Sequence, residues 1–463
     1  MSSPSGSSNE SSTYTVLVTG ANSGLGFSTC CRLIDEFLFS RPQNHILHLI
    51  PTTRSASKSA DTLDRLRQHL TKTLRRSNGT TLGISVLLER RIRLEAEQVE
   101  LTSLVSVKRL ARRLRKRGEQ EGLRIDALVC NAGIGGWEGF DMLKATWGLL
   151  TDLIDTVTYP RYKTGGKGWV TKPQMAGAEG EAEGKEEGVD RDRDRDTDST
   201  LGEVFTANVF GHYLLAHDLV PLMSSTTPDQ HPGRIVWVSS IEAYPHSLDL
   251  DDLQGLHTTE SYESSKRLTD VLVLSSELPS TQQWVSPYLS LPGSSKSQDQ
   301  DGQELRRPKM YLSHPGVCGT SIAALPKLLE YCMFAVFYVA RLLGSPWHCV
   351  SSYLGAVSVV WLALTPAAQL EELEHEEGKA KWGSACDVRG DERVIRTEVS
   401  GWGWGGRVGE VPDGGLRSAK GRWRGMRTVS KESREEFEET GRKVWRAMEE
   451  LRVKWESRLE GVE

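Results

Sequence analysis

The chain has 463 residues, 38% hydrophobic and 26% charged, with a formal net charge of −5, long enough to bury a large core. The charge is local, since residues 179–198 hold ten acidic side chains against four basic ones, and the near-neutral remainder gives no case for nucleic-acid binding. Seven cysteines (Cys30, Cys31, Cys130, Cys318, Cys332, Cys349, Cys386) show no C-x-x-C pair and no metal-type spacing, which argues for thiols and against a disulfide framework or a metal site.

Residues 1–12 are polar, Ser-rich and without the apolar core of a secretory signal, so a disordered lead-in is expected. Thr15-Val16-Leu17-Val18 is apolar and β-branched and reads as a buried parallel strand. Thr19-Gly20-Ala21-Asn22-Ser23-Gly24-Leu25-Gly26 follows directly, then an amphipathic helix over Phe27–Phe39. Strand, glycine loop and helix in that order predict a dinucleotide site. Gly20 permits the tight turn, Gly24 lets backbone approach the pyrophosphate, and Gly26 lets helix pack on strand. The helix N-terminus then faces the phosphates.

His45–Pro51 is a second strand candidate, ending in Thr52-Thr53-Arg54-Ser55. No carboxylate stands at its end to receive a ribose 2′-hydroxyl. Arg54 suits a 2′-phosphate, which favours NADP over NAD. Leu82–Leu88 is strand-like. Val105–Lys116 reads as a helix whose basic residues form a solvated face. Ile125–Cys130 is a further buried strand, ending in Asn131-Ala132-Gly133, where small side chains allow close approach.

Trp137–Val157 keeps apolar spacing. Lys163–Thr200 is glycine-rich and charged, and reads as a disordered surface insertion. Phe205–Met223 is a helix candidate, and Arg234–Val238 a strand ending at Ser239-Ser240. Tyr262-Glu263-Ser264-Ser265-Lys266 places a phenol and an ammonium one helical turn apart, on one face. A nearby fixed positive charge is expected to lower the phenol's pKa, giving an acid that protonates a carbonyl oxygen as hydride reaches carbon. The same spacing at Tyr159 and Lys163 has Pro160 after the tyrosine and glycines after the lysine, which opposes a helix. Residues 279–306 look like a second insertion. Met310–Ser313 is a sixth strand, followed by His314-Pro315-Gly316-Val317-Cys318-Gly319-Thr320.

Thr19-Gly20-x-x-x-Gly24-x-Gly26, Asn131-Ala132-Gly133 and Tyr262-x-x-x-Lys266, in that order, resemble the short-chain dehydrogenase/reductase family over residues 13–325, insertions excluded. The resemblance implies an α/β fold, a Rossmann-type doubly wound parallel sheet. It implies that Ser240 orients the substrate carbonyl, that Lys266 grips the cofactor ribose, and that Asn208 holds a water linking Lys266 to solvent. It adds Glu100, Leu101, Pro315, Gly316, Val317 and Thr320 to the cofactor positions, with Thr320 on the carboxamide and His314 structural. The gap from Ser240 to Tyr262 is longer than usual for the family, which suggests Ile241–Ser261 as a substrate wall or lid.

Residues 326–463 are expected to form a helical C-terminal extension. Tyr331–Ala340 is wholly apolar or aromatic but shorter than the roughly 20 residues a span requires. Trp347–Leu364 is longer and carries His348 and several serines. Helices covering the substrate entrance and dipping into one leaflet are the preferred reading, with a buried core pair or a spanning helix as alternatives. Glu435–Leu459 has Trp445, Met448, Leu451, Trp455 and Leu459 at spacings of three and four, an amphipathic helix. Tyr262–Asp270, the aromatic segment, Lys381-Trp382-Gly383-Ser384-Ala385 and Gly401-Trp402-Gly403-Trp404 look like the fungal 3-keto-steroid reductase group. That resemblance implies NADPH, a 3-oxo sterol, and a place at the endoplasmic reticulum or lipid droplet beside the other C-4 demethylation enzymes. A reductase of retinoids or other apolar carbonyls, or a non-catalytic scaffold, is the alternative.

Overall fold

The computed structural model describes residues 12–77, 87–174, 199–227, 230–290, 305–319, 327–409 and 421–460. The organising strand is β1 (Thr13–Val18), whose Leu17 faces one apolar cluster while Val16 and Val18 face another. Period-two alternation explains how one short run feeds two cores. Around it stand β2 (Ile46–Thr53), β3 (Ile92–Leu94), β4 (Glu97–Gln98), β5 (Ala127–Cys130), β8 (Arg234–Val238) and β9 (Lys309–His314). With β10 (Lys381–Cys386) and β11 (Glu392–Thr397) from the end of the chain, the sheet order is β11-β10-β9-β8-β5-β1-β2-β3, with β4 also pairing with β2. Every pairing is parallel except that of β10 with the edge strand β11.

Helices α1 (Gly24–Ser40) and α2 (Ala56–Ser77) cover one face. Helices α3 (Leu104–Glu121), α6 (Gly211–Asp218) and α7 (Ser261–Ser275) cover the other. This is a Rossmann-type doubly wound sheet. Ser103 caps α3 by accepting from Ser106 N, and Gly122 at φ +69° ends it. Residues 87–89 stand in a helical turn rather than the expected strand, and residues 78–86 lie outside the described residues.

The sheet corrects three expectations. The segment from 326 onward is not helical alone, because β10 and β11 extend the main sheet beyond β9. Their sequences gave no long apolar run to mark them.

The second correction is Trp347–Leu364. Its helix α10 (Val357–Leu364) is buried against β8, β9 and β10. Its serine is satisfied inside the protein: Ser358 Oγ lies 2.7 Å from Ser313 Oγ and 2.8 Å from Ser384 Oγ. His348 sits 2.8 Å from Ser345 Oγ, and burial pushes its pKa down to about 4. Among the described residues no single helix is long and apolar enough to cross a bilayer.

The third concerns the insertions. Residues 163–174 are ordered: β7 (Lys163–Gly165) pairs antiparallel with β6 (Trp137–Phe140), and the Gln174 side chain accepts from Leu104 N at 2.7 Å. These backbone and side-chain bonds replace the missing apolar burial. Residues 279–290 form a 3₁₀ turn and α8 (Gln282–Tyr288), which packs by Tyr288 on Tyr213 and Trp445. The remaining parts, 175–198 and 291–304, lie outside the described residues, as does the lead-in 1–11.

Helices α4 (Met142–Thr151), α5 (Leu153–Thr158) and α9 (Lys327–Leu342) gather at the C-terminal edge of the strands. Between α10 and β10 runs α11 (Ala367–Glu377). The chain's last helix, α12 (Lys431–Leu459), opens with a Ser430–Ser433 capping box and lays Phe437, Val444, Trp445, Met448, Trp455 and Leu459 onto the core. Trp445 is fully buried and donates to Leu272 O of α7 at 3.2 Å. Trp445→Ala is therefore expected to cost roughly 3–5 kcal/mol, read as a lower denaturant midpoint, since it leaves a cavity under the helix that carries Tyr262.

Candidate active site

The loop after β1 and the loop after β5 are tied into one cradle by Thr19. Its Oγ1 accepts from Asn131 N at 2.9 Å and Ala132 N at 3.0 Å, and lies 2.8 Å from His212 Nε2. Asn131 Nδ2 returns a bond to Thr19 O at 2.9 Å. Gly20 sits at φ +66°, and a Cβ there would stand 2.8 Å from Ala132 Cβ. A Cβ on Gly26 would stand 2.3 Å from Gly20 O. Only glycine satisfies either position. The N-terminus of α1 opens onto the cleft beside Asn22, Ser23, Gly24 and Leu25. A glycine-lined floor at a helix N-terminus fits the pyrophosphate of a dinucleotide.

That floor belongs to a cleft of about 740 Å³. Arg54 reaches it from the end of β2, exposed, with Nε 3.8 Å from Glu100 Oε2. Glu100, Leu101, Asn131, Ala132, Gly133, Pro315, Gly316 and Val317 also line it. Thr320 lies outside the described residues. His314 is buried, 2.6 Å from Thr397 Oγ1, and accepts from Gly316 N, so it shapes the Pro-Gly turn from behind.

Ser240, Tyr262 and Lys266 meet in the same cleft. Tyr262 stands in the first turn of α7, and Lys266 Nζ lies 5.6 Å from its ring centroid. The ammonium donates to Val238 O at the end of β8, at 2.9 Å. Asn208 stands in a π-helical turn (Thr206–Phe210) leading into α6. Its Oδ1 accepts from Ile134 N at 2.8 Å, and its Nδ2 donates to Ile134 O and Ser265 Oγ, both at 3.0 Å. Single π turns of this kind recur at functional sites. Asn208 thus ties the Asn131-Ala132-Gly133 loop to α7, while its side chain is spent on protein partners.

Electrostatics correct the expectation that the ammonium lowers the phenol's pKa. Burial, then the Glu242 carboxylate, push Tyr262 far above its ordinary value, against a hydrogen bond with Ser240. Desolvation outweighs the Ser240 hydrogen bond, the interaction that pulls the value down. The phenol is protonated at neutral pH, as it would be at its ordinary value of about 10.

Three further residues were not legible in the sequence. Trp137 packs edge-on against Tyr262, with ring centroids 5.0 Å apart. Lys163 places Nζ 4.0 Å from the Trp137 ring and 5.5 Å from the Tyr262 ring, and it is bonded to Glu242. Glu263, buried and 3.9 Å from Lys163, has its pKa raised to about 7 by burial, with Lys163 opposing. Lys163 makes no helical pair with Tyr159 and arrives instead on β7. Of the loop Ile241–Ser261, Ile241 and Glu242 line the cleft.

No family model matches the chain. Curated relatives do. The chain is 44% identical over 454 residues to the 3-keto-steroid reductase of Aspergillus fumigatus, covering 97% of this chain and 95% of that protein. The chain belongs to the 3-keto-steroid reductase family. It is 38% identical to the 3-keto-steroid reductase of Gibberella zeae (96% and 94% covered) and 31% identical to that of Schizosaccharomyces pombe (83% and 90%). Solved structures match more loosely, for example salutaridine reductase from Papaver somniferum at 14% identity and TM-score 0.39, covering 76% of this chain and 96% of that one. Family membership and the converged Ser240, Tyr262 and Lys266 make the cleft the candidate active site.

Gly26→Ala is expected to weaken dinucleotide binding by about tenfold or more, because the new Cβ displaces the Gly20 turn. Fluorescence titration of the folded variant with reduced nicotinamide dinucleotides checks this.

Proposed function

We propose that this protein reduces the 3-oxo group of a sterol intermediate of C-4 demethylation to the 3β-alcohol, using NADPH. The observation that carries the reading is the Tyr262 phenol beside Ser240 and Lys266, in a cleft floored by a glycine cradle and walled on its far side by apolar side chains. The relatives named above as 3-keto-steroid reductases supply the substrate class.

A nicotinamide dinucleotide held on the Gly20–Gly26 cradle supplies the hydride. Arg54, exposed at the end of β2 with only a long, solvent-facing contact to Glu100, suits a 2′-phosphate, which supports NADPH over NADH. Tyr262 gives its hydroxyl proton to the carbonyl oxygen, and Ser240 Oγ orients that oxygen. Lys266 braces the end of β8 and carries the positive charge that steadies the phenolate left behind. Asn208 holds the small-residue loop against α7. Met333, Val336 and Phe337 of α9 and Leu149 of α4 give the rest of the pocket a surface suited to fused rings.

Both α4 and α9 also present apolar groups outward at the cleft mouth. Leu143 is 86% exposed, Trp147 70% and Tyr331 72%, and Met142, Leu150 and Leu342 join them. Such a patch on a protein whose substrate is a lipid supports docking on one leaflet, with the cleft opening toward the bilayer. The endoplasmic reticulum or lipid droplet, beside the other demethylation enzymes, is the compartment this reading carries with it.

Two experiments test it. Purified protein should oxidise NADPH with a 3-oxo sterol and prefer it to retinal. Tyr262→Phe should lose at least about a hundredfold in turnover while binding NADPH normally; wild-type rates in that variant would remove the phenol from the mechanism. Separately, the protein should co-sediment with phospholipid vesicles, and Trp147→Glu with Leu150→Glu should release it. A wild-type protein that stays in the supernatant contradicts leaflet docking.

A further inference from the structure

Tyr262, Lys266 and Asp270 are spaced by four on α7 and share one face. The first two are accounted for above. Asp270 is 1% exposed, and a buried carboxylate needs a partner. The partner comes from far away in sequence. Lys381, the first residue of β10 and 2% exposed, donates to Asp270 Oδ2 at 2.6 Å and to Ser240 O, also at 2.6 Å. The other carboxylate oxygen, Oδ1, accepts from Ser239 Oγ at 2.5 Å. Lys266 meanwhile donates to Val238 O. Two ammonium groups therefore hold the backbone at the end of β8: one at Val238, one at Ser240, with Asp270 facing both.

We infer that the Lys381–Asp270 pair is a positioning device for the catalytic centre: it fixes the backbone that carries Ser240 and brings one like and one opposite charge to the surroundings of Lys266. The strand that delivers Lys381 is the extension of the sheet, so β10 serves the reaction as well as the fold.

The electrostatic part follows from geometry and sign. Lys266 is faced by Lys381 from β10, Cys130 from β5, His212 from α6, and Tyr262 and Asp270 from its own helix. Arg267 and His314 also stand near the pair. Cys130 is held as a thiol and His212 as a neutral ring by burial. The charges that act on Lys266 are thus the like charge of Lys381 and the opposite charge of Asp270. Burial first, and Lys381 next, lower the Lys266 pKa to about 8, while Asp270 opposes them. A group with that value titrates just above neutral pH, so small changes in its neighbours alter how much ammonium is present during turnover.

Opposite charge changes must then move Lys266 in opposite directions. Lys381→Met removes a like charge and should raise the Lys266 pKa by about one unit. Asp270→Asn removes the stabilising carboxylate and should lower it by about one unit. The double variant removes both and should titrate close to wild type. The direct readout is competitive trace labelling of Lys266 with acetic anhydride across the alkaline range, on the full chain, followed by peptide mass spectrometry. The alkaline limb of the pH–rate profile for NADPH-dependent 3-oxo steroid reduction should move with it. This second readout rests on the proposed function; the first does not. A wild-type protein without turnover, whose Lys266 titration still moves as stated, faults the reductase reading and upholds the pair's role. Lys266 titrations that stay put, or shift the same way in both single variants, overturn the inference. If Lys381→Met does not fold, the comparison of Asp270→Asn with the double variant decides: the double must titrate the higher of the two.

Discussion

Everything at this site depends on the enclosure of α7. Apart from Tyr262, every residue from Ser261 to Ser275 is buried, including Glu263, Lys266, Arg267 and Asp270. A helix with four ionisable side chains at its middle cannot be buried unless each finds a partner. The partners arrive from four directions. Lys163 on β7 faces Glu263, Val238 O on β8 takes Lys266, Ser400 O takes Arg267, and Lys381 on β10 takes Asp270. Much of what lies outside the nucleotide-binding half exists around this helix. The enclosure also anchors the turn that carries Tyr262, which is itself half-buried and lines the cleft with Trp137 against its ring.

The two sides of the cleft divide the chemistry. The floor is backbone and small side chains, from Gly20, Gly26, Ala132 and Gly133, where an added methyl would collide within 3 Å at both Gly20 and Gly26. That side offers N–H groups and a helix N-terminus, which recognise charge. The roof is α4 and α9, which offer apolar surface and recognise shape. Tyr262 lies on the seam, with Trp137 closing one edge of its ring. A hydride donor and an apolar ketone can approach that hydroxyl from opposite sides without competing for contacts.

The sequence disclosed the parts of this arrangement whose logic is local. The glycine loop is legible because strand, turn and helix are contiguous, and Tyr262 with Lys266 because one helical turn joins them. The direction of the phenol's pKa was not legible, since the spacing reveals a nearby ammonium but not how deep the pair lies or that Lys266 bonds a carbonyl. Lys163 and Glu242 are 79 residues apart and meet only once β6, β7 and the loop after β8 are folded. Trp347–Leu364 reads as leaflet-seeking because its apolar run is long, with its serines and histidine arguing only against a full span. In the fold Ser358 meets Ser313 and Ser384, and the run becomes core.

The same contrast explains why β10 is not legible as a strand. Its first residue is a lysine, and Lys381-Trp382-Gly383-Ser384-Ala385-Cys386 has the alternation of neither an exposed nor a wholly apolar strand. Its composition answers to what it touches. Lys381 meets Asp270, Gly383 lies against the ring of His314, and Ser384 serves Ser358. A Cβ on Gly383 would come within 2.4 Å of His314 Nε2, so the strand approaches β9 there without a side chain. Each irregularity in the strand is a requirement imposed by the catalytic edge of the sheet. A segment that looks like a poor strand by propensity is held in place by the site it completes.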